Sequence, residues 1–307
     1  MPDLAIFYEH PQWFEPLFRV LDARGFDWTA IPIQDHTFDP AEDEAPARVV
    51  FNRLAMSSFL RQDEHALFYS LAALAHWEGL GARVINGPAP LAYDLSKARQ
   101  LSLFRRLGLA TPGTRVAHRA RDVPALAAQI GYPLMIKVNI GGSGAGMIRY
   151  DDPETLAEAA REGLLPSSVD GVTLVQEYVP ARHGQVIRCE VLEGRLLYAI
   201  ALNGAGSTFD LCPADVCMAD KPTITIAAFD PPPAIVEAVE GIARAAKLDL
   251  GGIEYMVDDR DGTPRFYDLN ALSNFVARPL EVLGWDPHDR LADWLEAVIG
   301  AQARVAA

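Results

Sequence analysis

The sequence predicts an α/β protein: an open parallel α/β layer followed by two smaller lobes of mixed α+β character. Three observations predict it. Short apolar runs alternate with helical periods over the first ninety residues. A glycine-rich loop divides two strands near the middle. Two hairpins, split at Glu193-Gly194 and at 259–263, occupy the C-terminal third. Alternating strands and helices favour a parallel sheet, and hairpins favour antiparallel ones.

Taken in order, LAIFYE (4–9) is an apolar strand, and residues 11–25 have helical spacing ending at Gly25. Residues 26–33, 47–54 and 82–87 are further short strands. Residues 63–81 form a long helix with Asp63 in capping position and glycine at its end. NGPAP (86–90) reads as a boundary. The expected units are therefore 1–90, 91–180 and 181–300, with 301–307 as a frayed tail. In the second unit, Ser96 opens a helix over 95–109, and 122–131 is another. Residues 133–150 read as strand, glycine loop, strand. Asp152 caps a helix over 152–163, and 172–180 is a strand ending at proline. In the third, 186–202 is a hairpin, and a polar loop covers 203–222. The strand TITIAAF, a helix over 232–247, a second hairpin and a last helix over 287–299 follow.

Composition narrows the function. The chain has 307 residues, 50% of them hydrophobic, and a net charge of −14. Nucleic acid and anionic membrane surfaces are poor partners for such a surface. Any phosphate site must be built locally. No apolar run approaches the ~20 residues of a membrane span. Three cysteines, Cys189, Cys212 and Cys217, are too few and too odd in number for a disulfide framework. A reducing, cytoplasmic setting is expected, and the acidic N-terminus does not read as a secretory signal.

The second hairpin carries the most telling chemistry. GGIEYMVD (251–258) and PRFYDLN (264–270) flank DRDGT (259–263), a good hairpin loop. If the loop is symmetric about Asp261, Glu254 stands opposite Asp268, with Cβ atoms roughly 4.5–5.5 Å apart. Asn270 lies two residues on, facing the same way about 6–7 Å further along. Opposed like charges destabilise a sheet unless a cation neutralises them, and this oxygen set suits Mg²⁺. Ordinary solvated acids on a hairpin would read the same way. Lys137 interrupts the apolar strand PLMIKV; it either reaches an anion or snorkels from an edge. The loop that follows, with Gly141, Gly142, Ser143 and Gly144, offers backbone amides to an oxyanion, or is a plain flexible turn. Lys97 in a first helical turn means little alone. Gln176, Glu177, Tyr178 and Val179 read as a hinge facing an adenine edge, or as a strand ending in a polar turn.

In this order the pieces resemble the ATP-grasp superfamily, and within it the RimK-like carboxylate–amine ligases. NGP, the helix with Lys97, the strand with Lys137, the glycine loop, QEYV, IRC, GGIEYM and DLN carry the resemblance, over about residues 85–300. It implies an ATP-grasp fold behind an N-terminal open parallel α/β domain. It also implies ATP and Mg²⁺ as cofactors, with two metal ions and Mn²⁺ as a substitute. By position, Lys97 and Lys137 would contact phosphates, Gln176 to Val179 would hold adenine, and Arg188 would meet the γ-phosphate or acyl phosphate. Glu254, Asp268 and Asn270 would hold the metal.

The implied reaction joins a small-molecule or peptide carboxylate to an amine through an acyl phosphate, releasing ADP. Arg188 and Lys137 would be catalytic, the glycine loop would be a lid, and a homodimer would be compatible. Departures bear on the substrate. Val186 replaces the acidic residue often found two positions before the arginine, which leaves Gln185 or His183 for the ribose. Leu202 and Asn203 stand where glutamate ligases carry adjacent arginines. Leu272, Ser273 and Asn274 replace a small residue and Pro-Gly. The acid pocket is therefore expected to use Arg53, Arg278, Asn203, Ser273, Asn274 and the 203–217 loop. Arg53 ends a strand of the first layer, where open α/β sheets bind ligands. An ATP-grasp phosphotransferase and a catalytically inactive nucleotide-binding module are the rival readings.

Overall fold

The computed structural model describes residues 1–61, 66–142, 146–204 and 224–305. β1 (Leu4–Tyr8), β2 (Trp28–Pro32), β3 (Val49–Arg53) and β4 (Arg83–Ile85) form one sheet in the order β2-β1-β3-β4. All its pairings are parallel. β1 and β3 are buried along their length because each has a covered face on both sides. Leu17 and Leu21 of α1 (Pro11–Ala23) pack with Leu4, Ile6, Val49 and Phe51. Leu67, Leu74 and Trp77 of α2 (Ala66–Gly79) pack with Ala5, Phe7 and Val50 on the opposite face. The strand alternation thus explains both covers. The Asp63 cap expected for α2 falls outside the described residues.

NGPAP follows the end of β4 and leads into a helix. Gly87 precedes α3 (Pro88–Asp94), whose first residue is proline, a favoured start. Asn86, fully buried with φ of 49°, works as a clip. Its amide donates to the carbonyls of Leu250 and Ala271, and its Oδ1 accepts from the Asp249 and Leu250 amides. The end of the first sheet is thereby tied to the hairpin that carries the acids. α4 (Lys97–Arg106) follows, with Ser96 Oγ accepting from the Arg99 amide at 3.3 Å.

β5 (Thr114–Ala117), β6 (Leu134–Val138), β7 (Met147–Tyr150) and β8 (Thr173–Glu177) form an antiparallel sheet in the order β5-β8-β6-β7. α5 (Val123–Ile130) and α6 (Pro153–Glu162) cover one face through Val123, Ala127 and Leu156. Asp152 caps α6, accepting from the Thr155 amide at 2.8 Å. Lys137 belongs to the other face, opposite Leu174.

The third sheet contains β9 (Ala181–Leu192), β10 (Arg195–Gly204), β11 (Ile224–Phe229), β12 (Leu250–Asp258) and β13 (Pro264–Asn270), in the antiparallel order β11-β10-β9-β12-β13. Glu193 and Gly194 turn the first hairpin with φ of 54° and 70°, which a two-residue primed turn requires. One face of this sheet packs on α7 (Pro233–Ala246) through Val239 and Ile242. The other contributes Tyr198, Ile200 and Leu202 to the core that holds Leu4 and Phe51. The first layer therefore shares a core with the C-terminal sheet. After α8 (Pro279–Val282), α9 runs from Pro287 to Val305. The tail expected from residue 301 is helical to Val305, since AQAR continues with good helix formers. No helix among the described residues is long and apolar enough to cross a membrane.

Candidate active site

Glu254 does stand opposite Asp268, although the turn is not symmetric about Asp261. Next to the turn the pairs are Val257 with Pro264 and Tyr255 with Phe266. A bulge at Tyr267 then shifts the register so that Glu254 meets Asp268 and Gly252 meets Asn270. A bulge re-aims side chains. Here it brings two consecutive residues to one carboxylate: Tyr267 donates its hydroxyl to Glu254 Oε2 at 2.9 Å while Asp268 faces the same residue. Asn270 Nδ2 lies 3.4 Å from Asp268 Oδ2.

Cations flank this pair. Arg188 of β9 pairs directly with Glu254 of β12, with Nη1 2.9 Å from Glu254 Oε1 and Nε 2.5 Å from Glu190 Oε1. Glu190 is two residues on along β9, on the same face, and only 1% exposed. The guanidinium lies flat over Gly252, where an added Cβ would be 2.3 Å from Nη2. Gly251 is equally tight, with a Cβ falling 2.2 Å from the Asn270 carbonyl oxygen. The paired glycines of GGIEYM thus make room for an arginine and a backbone. Burial disfavours the Arg188 charge, but Glu190 and Glu254 outweigh it and raise its pKa. Burial raises the pKa of Glu254, and Asp268 adds to that against the pull of Arg188.

Lys97 Nζ forms an ion pair with Asp268. Burial alone would lower its pKa; Asp268 reverses the direction. Asn139, just beyond β6, fixes the start of α4: its Oδ1 accepts from the Ala98 amide at 3.0 Å and its carbonyl from the Lys97 amide at 3.2 Å. Lys137 lies over the Tyr267 ring at 5.5 Å, and no acceptor for its ammonium occurs among the described residues. Burial, then repulsion from Lys97, lowers its pKa to about 8. Asp94, three residues before Lys97, accepts from the Ala271 amide at 2.9 Å, and burial raises it to about 7.

The hinge residues follow β8. The Glu177 amide donates to the Gly113 carbonyl and the Tyr178 amide to the Pro133 carbonyl. The Val179 amide has no partner among the described residues. Gln176 Nε2 donates to Thr114 Oγ1 at 2.9 Å, and Arg149 stacks over the Tyr178 ring at 4.1 Å. Glu177 Oε2 accepts from Arg260 at 3.1 Å, so an ion-pair network runs from the tip of the second hairpin to the hinge. Asp258, fully buried, anchors it through Arg260 and Arg265, which hold its pKa well below the carboxylate range. Gly142 packs tightly on Ser57, where a Cβ would be 3.2 Å from the serine Cβ. Ser143 and Gly144 lie outside the described residues.

The substrate candidates do not all converge. Arg53 is 3% exposed and sits between the rings of Phe14 and Phe51, at 4.8 and 4.9 Å. It donates to the Ser273 carbonyl and, at 3.3 Å, to Asn274 Oδ1. Burial lowers its pKa to about 9, partly offset by Glu190, and its Nε and Nη1 have no partner among the described residues. Ser273 and Asn274 are thus joined to Arg53. Asn203 pairs instead with Gln185, amide to amide at 3.1 Å. Arg278 is exposed and pairs with Glu281 at 3.0 Å, which is surface charge pairing. His183 has φ of 56° next to the β9 start. The 205–223 loop, with Cys212 and Cys217, is outside the described residues; Cys189 is buried. The sequence reading missed Glu190, Asp94 and Tyr267. The spacing of Arg188 and Glu190 on one strand signalled the first; a bulge signals nothing locally.

A family model described as the carbamoyl-phosphate synthase L chain, ATP binding domain, matches residues 97–272. That span contains Lys97, Lys137, Arg188, Glu190, Glu254 and Asp268. The chain belongs to the ATP-grasp superfamily. A probable alpha-L-glutamate ligase of Teredinibacter turnerae is 31% identical to this ATP-grasp chain over 143 residues, 46% of each. The chain thus spans about half the length of the curated relatives it matches. The ATP-grasp ligase PsnB complexed with its minimal precursor has a similar fold, with a TM-score of 0.67 at 18% identity over 97% of this chain and 99% of that one. The RimK domain ATP-grasp protein of Sphaerobacter thermophilus gives 0.68 at 17% identity, over 95% and 99%.

The donor set also fits a divalent cation. No group of three His, Cys, Asp or Glu side chains gathers among the described residues. Mg²⁺ needs fewer, because it shares substrate phosphates. Glu254 and Asp268 supply two carboxylates, and the Asn270 amide oxygen has no other partner among the described residues.

Proposed function

We propose that the chain is an ATP-dependent, ADP-forming ligase that joins a carboxylate to an amine through an acyl phosphate. One observation carries the reading. Glu254 and Asp268 are opposed on a hairpin and framed by three cations, the buried Arg188 and the half-buried Lys97 and Lys137, and Lys137 has no acceptor among the described residues. An ammonium held away from water without an acceptor is costly unless an anion arrives. The relatives named probable alpha-L-glutamate ligases, and a neighbour named an ATP-grasp ligase, support the reaction class.

The chemistry follows from charge. A carboxylate is a poor electrophile. Its oxygen attacks the γ-phosphorus of ATP, the bond to the β-γ bridging oxygen breaks, and ADP leaves. Lys137 is placed to meet the transferring phosphoryl group. Lys97 uses one N–H on Asp268 and has two more to offer. Arg188, fixed by Glu190 and Glu254, stabilises charge on the acyl phosphate. Mg²⁺ held by Glu254, Asp268 and Asn270 would supply further neutralisation of the phosphate charge. The amine then attacks the acyl carbon, loses a proton, and phosphate departs. The Val179 amide and the neighbouring hinge backbone would hold adenine. Much of the rate comes from holding the reactants in register.

The acid partner is a small molecule or a peptide end. Arg53, Ser273 and Asn274 form the best-supported part of its pocket, since they are bonded to one another beside the metal strand. Asn203 and Arg278 have weaker support, being engaged elsewhere. Incubating the protein with ATP, Mg²⁺ and a panel of acid–amine pairs tests the function. ADP release that needs both partners, with an amide found by mass spectrometry, is the expected result. A stable phosphorylated product formed without an amine would replace this reading by a phosphotransferase.

A further inference from the structure

We propose that the edge of β5 is a docking site for an acidic, extended peptide segment of a partner protein. β5 ends its sheet, paired only with β8. Its outer edge makes no other backbone pairing among the described residues. Beside it, between β5 and α4, lies a groove of about 600 Å³. This volume is separate from the acid–cation site: Lys97, Lys137, Arg188, Glu254 and Asp268 do not line it.

The charge of the groove is opposite to that of the chain. Arg105, Arg106 and Arg115 line it, and no aspartate or glutamate does, in a protein with 41 acids against 27 bases. Arg105 and Arg106 sit in the last turn of α4, where the helix dipole alone favours cations. Arg115 has no such reason. It lies on the facing strand and bonds only to Gln129 Oε1 at 3.3 Å and the Thr114 carbonyl at 3.2 Å, both uncharged. All three arginines are exposed and none has a carboxylate partner among the described residues. Leu101 and Val116 give the groove an apolar floor, and Val116 is 49% exposed although it is a strand residue.

An unpaired strand edge, an apolar position and flanking arginines on two sides match strand addition. Main-chain bonds would give affinity, and alternate side chains would give specificity. Val116 pairs with Leu174 on the α4 face and Arg115 with Val175 on the α5 face, so an added strand alternating Glu with Val would direct its carboxylates to Arg105 and Arg106 in one register and to Arg115 in the other. The site lies beyond the ligase reading, and its test does not require turnover.

The experiment uses the full chain and a fluorescein-labelled peptide of alternating Glu and Val, read by anisotropy. Two further peptides carry N-methyl groups on the odd or on the even residues. An added strand presents alternate amides to β5, so one methylated pattern should lose at least tenfold in affinity and the other should not. The Arg105→Gln/Arg106→Gln/Arg115→Gln variant should bind at least tenfold more weakly, and the matching triple lysine variant should recover most of the loss. These residues are exposed, and an unchanged circular dichroism spectrum would show that the variants fold. Equal behaviour of both methylated peptides would overturn strand addition. Undiminished binding by the glutamine variant, or none by the wild type, would overturn the site. Equal binding of inorganic tripolyphosphate that displaces the peptide would make it a small-anion site. Dissociation of a wild-type dimer in the variant would make it an interface between copies.

Discussion

Gly252→Ala should disable the site from the backbone side. The added Cβ would be 2.3 Å from Arg188 Nη2, 2.4 Å from Cζ and 2.6 Å from Nε. Ordinary contact needs about 3.5–4.0 Å, so the guanidinium must retreat by roughly 1 Å or more. It cannot do so and keep both the 2.5 Å bond to Glu190 and the 2.9 Å bond to Glu254. Overpacking costs ~1–3 kcal/mol. Separating a buried ion pair costs about 3–5 kcal/mol when one partner is left without the other. Partial retention of one bond puts the expected loss at ~3–5 kcal/mol, within reach of total stability. Turnover should fall by about 10²–10³, the usual cost of losing one donor to a developing oxyanion. Urea denaturation and ADP release measure the two effects. Gly241→Ala in α7 is the control, since nothing lies within 4 Å of its Cβ position; it should gain up to ~1 kcal/mol. A Gly252→Ala protein with wild-type urea midpoint and wild-type turnover would refute the placement of Arg188.

Other outcomes follow from the same charges. Lys97 and a divalent cation compete for Asp268, so Lys97→Met should bind Mn²⁺ more tightly without nucleotide, read by electron paramagnetic resonance; unchanged affinity would dissociate Lys97 from the metal site. Lys137 is lowered to about 8 in the free protein, and phosphate contact favours its charged form. Binding of a non-hydrolysable ATP analogue should therefore take up a proton at a pH just above 8, measured by calorimetry in buffers of different ionisation enthalpy, and Lys137→Met should abolish the uptake. Burial raises Asp94 to about 7, above its value of ~3.9 in an unfolded chain. Its contribution to stability is thus fully present below that lower value and is lost as pH rises through about 7. Asp94→Asn keeps an acceptor for the Ala271 amide, so the variant should gain on the wild type from acid to neutral pH, and parallel stability profiles would contradict the reasoning.

The sequence revealed what local chemistry determines. The turn residues of DRDGT located the hairpin, and strand period placed Glu254, Asp268 and Asn270 on it. The alternation of apolar runs with helices revealed the parallel first layer. Long-range facts were not legible. The bulge at Tyr267 leaves no pattern, yet without it Glu254 would face Tyr267 instead of Asp268. Asn86 reads as a turn residue until Leu250 and Ala271 are seen beside it. Arg53 was expected at the end of a strand, but its contact with the rings of Phe14 and Phe51 depends on the packing of α1 against β3. Arg278 was expected in the acid pocket, but it has φ of 50° and is exposed, paired with Glu281.

The most direct measurement follows the acid's own oxygen. With an ¹⁸O-labelled carboxylate substrate, γ-phosphoryl transfer makes that oxygen the bridge to phosphorus, and attack by the amine releases it with the phosphate. The account predicts one label in inorganic phosphate, with ADP as the nucleotide product, because Lys97, Lys137 and Arg188 frame the Glu254–Asp268 pair. Label recovered in AMP would mean adenylation and would contradict the assignment of these groups to the γ-phosphate.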